Sequence, residues 1–215
     1  MNHTALRAGA YPHVRFKVHM LSQEKFDDIK LKSGHYASWG VWAKQGIRPK
    51  DNTGDISVLD PNQYPNLLEI LNPSVILVGL NISGRIKIPL GNFHSSNPRS
   101  HDYKIRHALE NSVFWGCYMT DIIKDFEQIS AGRMMQYLRQ NQKFEEDNVK
   151  TFIEEMAVLN TEKPKIIALG NDAFSILKKH LSHLDIHKVP HYSAAISKET
   201  LRQSFEYIKV NQVPK

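Results

Sequence analysis

The sequence predicts an α/β protein, a three-layer αβα sandwich around a central, mainly parallel sheet of roughly four strands. Three observations carry this. The run Val75-Ile76-Leu77-Val78-Gly79-Leu80 is continuously apolar rather than alternating, as in a strand buried on both faces. Segments of the same type follow at Trp115 to Thr120, at Lys165 to Leu169 and, more weakly, at Ile186 to Val189. Helical patterns lie between and after them, and strands alternating with helices imply a parallel sheet covered on both sides.

Taken in order, each element has a local signature. Residues 1–70 are polar, aromatic in patches and broken by Pro49, Pro61 and Pro65; they read as an extension packed on a domain spanning residues 71–215. Tyr103 to Leu109 gives a short helix after the first strand. The segment from Asp125 to Gln142 is polar and mixed in charge, a surface excursion with a helix in it. From Phe144 to Leu159, the residues Val149, Phe152, Ile153, Met156 and Leu159 recur at steps of three and four, one buried helical stripe. Asn171, after Gly170, stands where a helix N-cap belongs, and Ser197 can cap a last helix carrying Leu201, Phe205 and Ile208.

Composition bounds the function classes. The chain has 215 residues, 41% hydrophobic and 23% charged, which suits one folded domain and neither a disordered nor a fibrous protein. No apolar run approaches the ~20 residues needed to span a bilayer. The polar start Met1-Asn2-His3-Thr4 lacks the apolar stretch of a signal peptide, so no membrane and a cytoplasmic location are expected. The single cysteine, Cys117, cannot form an internal disulfide and reads as a small buried hydrophobe. The formal net charge of +6 permits a polyanionic partner without demanding one.

In doubly wound sheets, ligands bind beyond the carboxyl ends of the strands. Four stretches occupy those places. Gly79-Leu80-Asn81-Ile82-Ser83-Gly84-Arg85 and the loop Gly91-Asn92-Phe93-His94-Ser95 follow the first strand. Tyr118-Met119-Thr120-Asp121-Ile122-Ile123-Lys124 marks the end of the second strand, Gly170-Asn171-Asp172 follows the third, and Pro190-His191-Tyr192-Ser193 follows the fourth.

Here the chain resembles the uracil-DNA glycosylase superfamily. Gly79-Leu80-Asn81 is similar to the first motif of the branch with asparagine in place of aspartate. His191-Tyr192-Ser193 is similar to the family's His-Pro-Ser motif. Ile166 to Ala173 resembles the third strand and its helix, and Phe93 lies where members place the aromatic that stacks on the flipped base. The resemblance covers Val75 to Leu201. Ile82 and Tyr192 depart from the pattern, each standing where the family has proline, so both loops are less fixed.

The resemblance implies a DNA glycosylase that extrudes a base, stacks it on Phe93 and reads its Watson-Crick edge. Asn81 would hold the attacking water and His191 would donate to the base oxygen. Gly79, Leu80 and Asp121 would line the base pocket. Ser193, Ser83, Arg85 and Asn171 would meet the DNA backbone. The implied partner is DNA, single-stranded or with a flipped base, bound by a monomer without cofactor.

Asp121 stands where uracil-reading relatives carry asparagine. A carboxylate only accepts hydrogen bonds, which disfavours uracil and favours an amino-bearing base. Pairing with Lys124, or protonation of Asp121, would remove that conflict.

Each residue also has a structural reading: Asn81 as a left-handed turn residue, His191 as a satisfied buried histidine, Phe93 as core. A binding protein of the same fold without catalysis stays open beside the enzyme.

Other signals are weaker. The glycines from Gly79 to Gly84 lack the endings of a P-loop or dinucleotide fingerprint. His94, His101, His107 and His187 show no paired ligand spacing, and no metal site is expected. Arg85, Lys87, Arg99, Lys104 and Arg106 are candidates for phosphate contacts, while Trp39 and Trp42 read as packing for the extension.

Overall fold

The computed structural model describes residues 21–161 and 163–208; the polar start, the first twenty residues of the expected extension and the last seven of the expected domain lie outside them. The sheet has five strands: β1 (Ser38–Trp39), β2 (Asn72–Asn81), β3 (Cys117–Ile123), β4 (Lys165–Leu169) and β5 (Ile186–Val189). Their order is β1-β3-β2-β4-β5. β2 to β5 are mutually parallel and β1 runs antiparallel to β3.

The helices are α1 (Gln23–Ser33), α2 (Leu67–Ile70), α3 (Asp102–Leu109), α4 (Ala131–Gln140), α5 (Gln142–Leu159), α6 (Asn171–His180) and α7 (Lys198–Glu206). Successive strand side chains point to opposite faces, and two buried clusters follow from that alternation. Ile76 and Val78, Tyr118 and Ile122, and Ile166 and Ala168 meet α1, α4, α5 and α6 on one face. Val75 and Leu77, Cys117 and Met119, and Ile167 and Leu169 meet α3 and α7 on the other. Helices on both faces make this a three-layer arrangement.

Three expectations need correction. The sheet gains a fifth strand because Ser38 and Trp39 pair with Met119 and Tyr118; two residues are too few to show periodicity. The second strand runs on to Ile123, so Asp121 sits inside it, in register with Gly79. The N-cap of α6 is Gly170 at φ 94°, with Asn171 the first helical residue. That φ suits glycine, and a Cβ there would lie 3.3 Å from the Cβ of His191. Ser197 does cap α7, accepting from the Thr200 N–H at 2.9 Å.

Residues 21–70 are built into the body of the protein. Phe26, Ile29 and Trp39 are fully covered within the first cluster, and Trp42 in the second donates from its indole to the Phe93 carbonyl at 3.2 Å.

Candidate functional site

All four parallel strands end at one edge, where the register pairs Asn81 with Ile123 and Leu169 with Val189. At this edge Gly79, Asn92, Phe93, Asp121, His191 and Tyr192 form one chain of contacts. Gly79 makes room for it: a Cβ there would meet Asp121 Oδ1 at 2.2 Å and the Phe93 ring at 3.7 Å. Any larger residue would displace the carboxylate.

Asn92 organises the cluster. Its side-chain amide donates to the Tyr36 carbonyl at 2.7 Å and to Asp121 Oδ2 at 2.8 Å. Its Oδ1 accepts from the Phe93 N–H at 3.0 Å, and Phe93 takes a left-handed φ of 62°. The ring thereby turns inward: Phe93 is 4% exposed and meets Tyr192 edge-to-face at 6.2 Å. With its faces covered, it stacks on an incoming base only after the Tyr192 loop moves. Tyr192 in turn stacks on His191 at 4.3 Å.

Asp121 is 3% exposed. Burial pushes its carboxyl up to about 7, against the lowering pull of Asn92 and Lys124 and with the negative charge of Glu155 adding to the rise. The alternative in which Asp121 pairs with Lys124 is not formed, because the Lys124 ammonium bonds Glu155 and Thr120. The carboxyl therefore stands near half protonation at neutral pH, able to donate or accept.

Burial holds the His191 imidazole down to about 4, so it is neutral. Its Nδ1 accepts from the Ser193 N–H at 3.1 Å and faces Ser193 Oγ at 2.7 Å. With Nδ1 as acceptor the proton resides on Nε2, a neutral donor.

Asn81 is half-buried, its amide donating to the carbonyls of Ile82 (2.7 Å), Phe126 (3.1 Å) and Gln128 (2.8 Å). The nitrogen thus braces the loop after β3 against the end of β2. Oδ1 is the atom left for a ligand or water.

The remaining expected contacts divide. Ser83, Arg85 and Ser193 are exposed, as are Lys87 and Arg99. Leu80 points into the first core cluster instead of toward Phe93 and Asp121. Asn171 is engaged by the Lys188 ammonium at 2.9 Å. Lys104 and Arg106 are buried, their charged ends turned onto backbone carbonyls and not outward as a phosphate contact requires. Lys104 donates to Ala194 O at 3.0 Å and Ile196 O at 2.9 Å. Arg106 donates to Asp51 O at 2.8 Å and Pro49 O at 2.6 Å. Short-range patterning cannot distinguish such inward charges from surface ones, since their partners lie 55 to 92 residues away.

Asn92 was absent from the sequence-derived site although it adjoins Phe93; only the fold reveals its span of 29 residues to Asp121. Cys117 is a free, fully buried thiol that burial pushes up. Among the described residues no cluster of three or more His, Cys, Asp or Glu side chains is placed to hold a metal, and no helix is long and apolar enough to cross a membrane.

The fold and the edge cluster define an α/β protein with a neutral imidazole, a buried carboxyl of raised pKa and covered aromatics at the carboxyl end of a parallel sheet. No family model, curated protein or solved structure matches the chain.

Proposed function

We propose that the chain is a glycosylase of the uracil-DNA glycosylase superfamily, a monomeric cytoplasmic protein that holds a base extruded from a DNA strand and hydrolyses its N-glycosidic bond. One observation supports this reading: Gly79 near the end of β2, Phe93 in the loop after it, Asp121 of β3 and the His191–Tyr192 turn after β5 form a single cluster of contacts, while Asn81 stands two residues beyond Gly79 at the same strand end. A base entering there displaces Tyr192 and lies on Phe93, its edge against Asp121, which Asn92 holds in place.

Hydrolysis needs a water aimed at the anomeric carbon and a donor for charge developing on the base. Asn81 Oδ1 orients the water. The water oxygen bonds to the sugar carbon as the carbon–nitrogen bond breaks, the electron pair leaves with the base, and the proton the attacking water sheds ends on the base anion. His191 Nε2–H stabilises that charge at a base oxygen. The products are an abasic strand and the free base.

The test uses oligonucleotides carrying a panel of altered bases, incubated with protein and then treated with alkali. Strand breaks at one altered base, lost in Asn81→Ala and His191→Ala, are expected. A full panel without breaks removes the catalytic assignment.

A second reading, binding without cleavage, is favoured by the Asn81 amide, whose three backbone carbonyls give it a complete structural role. Tight binding of a damaged strand with no alkali-sensitive product would select it.

A further inference from the structure

Apart from the covered cluster, a cleft opens at the same edge. It is a cleft of about 350 Å³ lined by His35, Ile82, Arg85, Ile86, Asp125 and Glu127, within the range of small-molecule pockets. Two loops build most of it, the one after β2 and the one after β3. They are fixed to each other: the Gln128 N–H donates to Ile82 O at 3.1 Å, and Asn81 clamps the carbonyls of Phe126 and Gln128. The cleft wall is therefore anchored to the residue assigned to the attacking water.

Its chemistry is mixed. Asp125 takes a left-handed φ of 51°, and its Oδ2 meets His35 Nε2 at 3.1 Å. Glu127 brings a second carboxylate and Arg85 a guanidinium, which has no carboxylate partner among the described residues. Ile82 and Ile86 supply apolar surface.

The geometry points to a site for the nucleotide next to the extruded one on the same strand, with its base against Ile86, its exocyclic amine donating to Asp125 or Glu127, and its phosphate on Arg85. Carboxylates only accept, so they take the amine of cytosine or adenine and repel the carbonyl that thymine presents in its place. The cleft thereby sets a sequence context for the base handled at Phe93 and Asp121. This inference rests on the proposed base-extruding function, since it needs a strand running across Asn81.

The test measures binding of single-stranded oligonucleotides by fluorescence anisotropy. Each strand carries cytosine, adenine or thymine beside one fixed position, which is either an altered or an ordinary base. Wild type is expected to prefer cytosine or adenine neighbours over thymine by about ten-fold. Asp125→Asn combined with Glu127→Gln abolishes that preference while keeping the response to the fixed base. Arg85→Ala weakens all strands alike and flattens the salt dependence. Both variants change exposed side chains, and an unchanged melting temperature verifies their fold. Equal affinity for the three neighbours, or a preference surviving the double variant, overturns the inference. A neighbour preference without any response to the fixed base keeps the cleft and removes base extrusion; no binding to any strand removes both.

Discussion

Two carboxyl groups are buried on opposite faces of β3, and their surroundings differ. On the α5 face Glu155 accepts from the Tyr118 hydroxyl at 2.6 Å and pairs with the Lys124 ammonium, which also bonds Thr120 Oγ1 at 2.7 Å and lies over the Tyr36 ring at 4.5 Å. At the carboxyl edge Asp121 has one neutral partner, the Asn92 amide. A buried charge is tolerated when paired and hydrogen-bonded, and shifts toward its neutral form when it is not. The first region holds the sheet to a helix; the second keeps a carboxyl free to exchange a proton or meet a ligand. The contrast separates a fully paired polar network from one whose carboxyl has a single neutral partner.

The largest effect is expected from breaking the satisfied side. Glu155→Ala leaves the Lys124 charge buried without its counter-ion, and urea unfolding should show a loss of roughly 3–5 kcal/mol. An effect within a few tenths would mean that the network is incidental. Glu155→Gln should also lower the Asp121 pKa, because it removes a negative charge and leaves Lys124 uncompensated.

Asp121→Asn tests the strained side and should act in the opposite direction. The folded-state pKa is raised from 3.8 to about 7, so between these values the folded chain binds more protons than the unfolded one, and stability falls as pH rises. The penalty is absent below pH 3.8 and complete above pH 7, reaching at most about 4 kcal/mol for a rise of this size. The variant should therefore gain stability over wild type at alkaline pH and lose the advantage in acid. A constant difference across the range would show that Asp121 does not titrate with folding.

The same titration should set base preference. Below pH 7 the protonated carboxyl donates to a carbonyl such as uracil O4; above it, the carboxylate accepts from an amine. Competition between uracil- and cytosine-containing strands should cross over near the carboxyl's value of about 7, and Asp121→Asn should favour uracil at every pH. A pH-independent preference in wild type would place Asp121 outside the recognition surface.

The smallest effect concerns Tyr192. If the ring covers the place a base would take, Tyr192→Ala should tighten binding of an altered strand by several-fold at about 1 kcal/mol or more of lost packing. Weaker binding would make Tyr192 part of the recognition surface. Phe93→Ala is the matching control: at 4% exposure it should cost about 3–5 kcal/mol as a core truncation, whatever its role toward a ligand.

The elements that rest on local pattern were legible in the chain itself. Val75 to Leu80 read as a strand covered on both faces, and the three-and-four spacing from Val149 to Leu159 located α5, although Ile153 is exposed and Glu145, Asn148 and Glu155 share the buried stripe in its place, held by distant polar partners that spacing does not show. The Ser197 cap needed only its neighbour three residues on. Gly79 and the stretch His191 to Ser193 could be located as strand-end positions, because parallel strands deliver their carboxyl ends to one edge. Tertiary structure decided everything whose partner is distant in the chain: the two-residue strand β1 against β3, the Asn92–Asp121 hydrogen bond, and the inward turn of Lys104 and Arg106 onto backbone carbonyls. The physical reason is range. Periodicity and capping act over one or two turns of chain, whereas the burial that raises the Asp121 pKa and hides the Phe93 ring comes from packing segments dozens of residues apart.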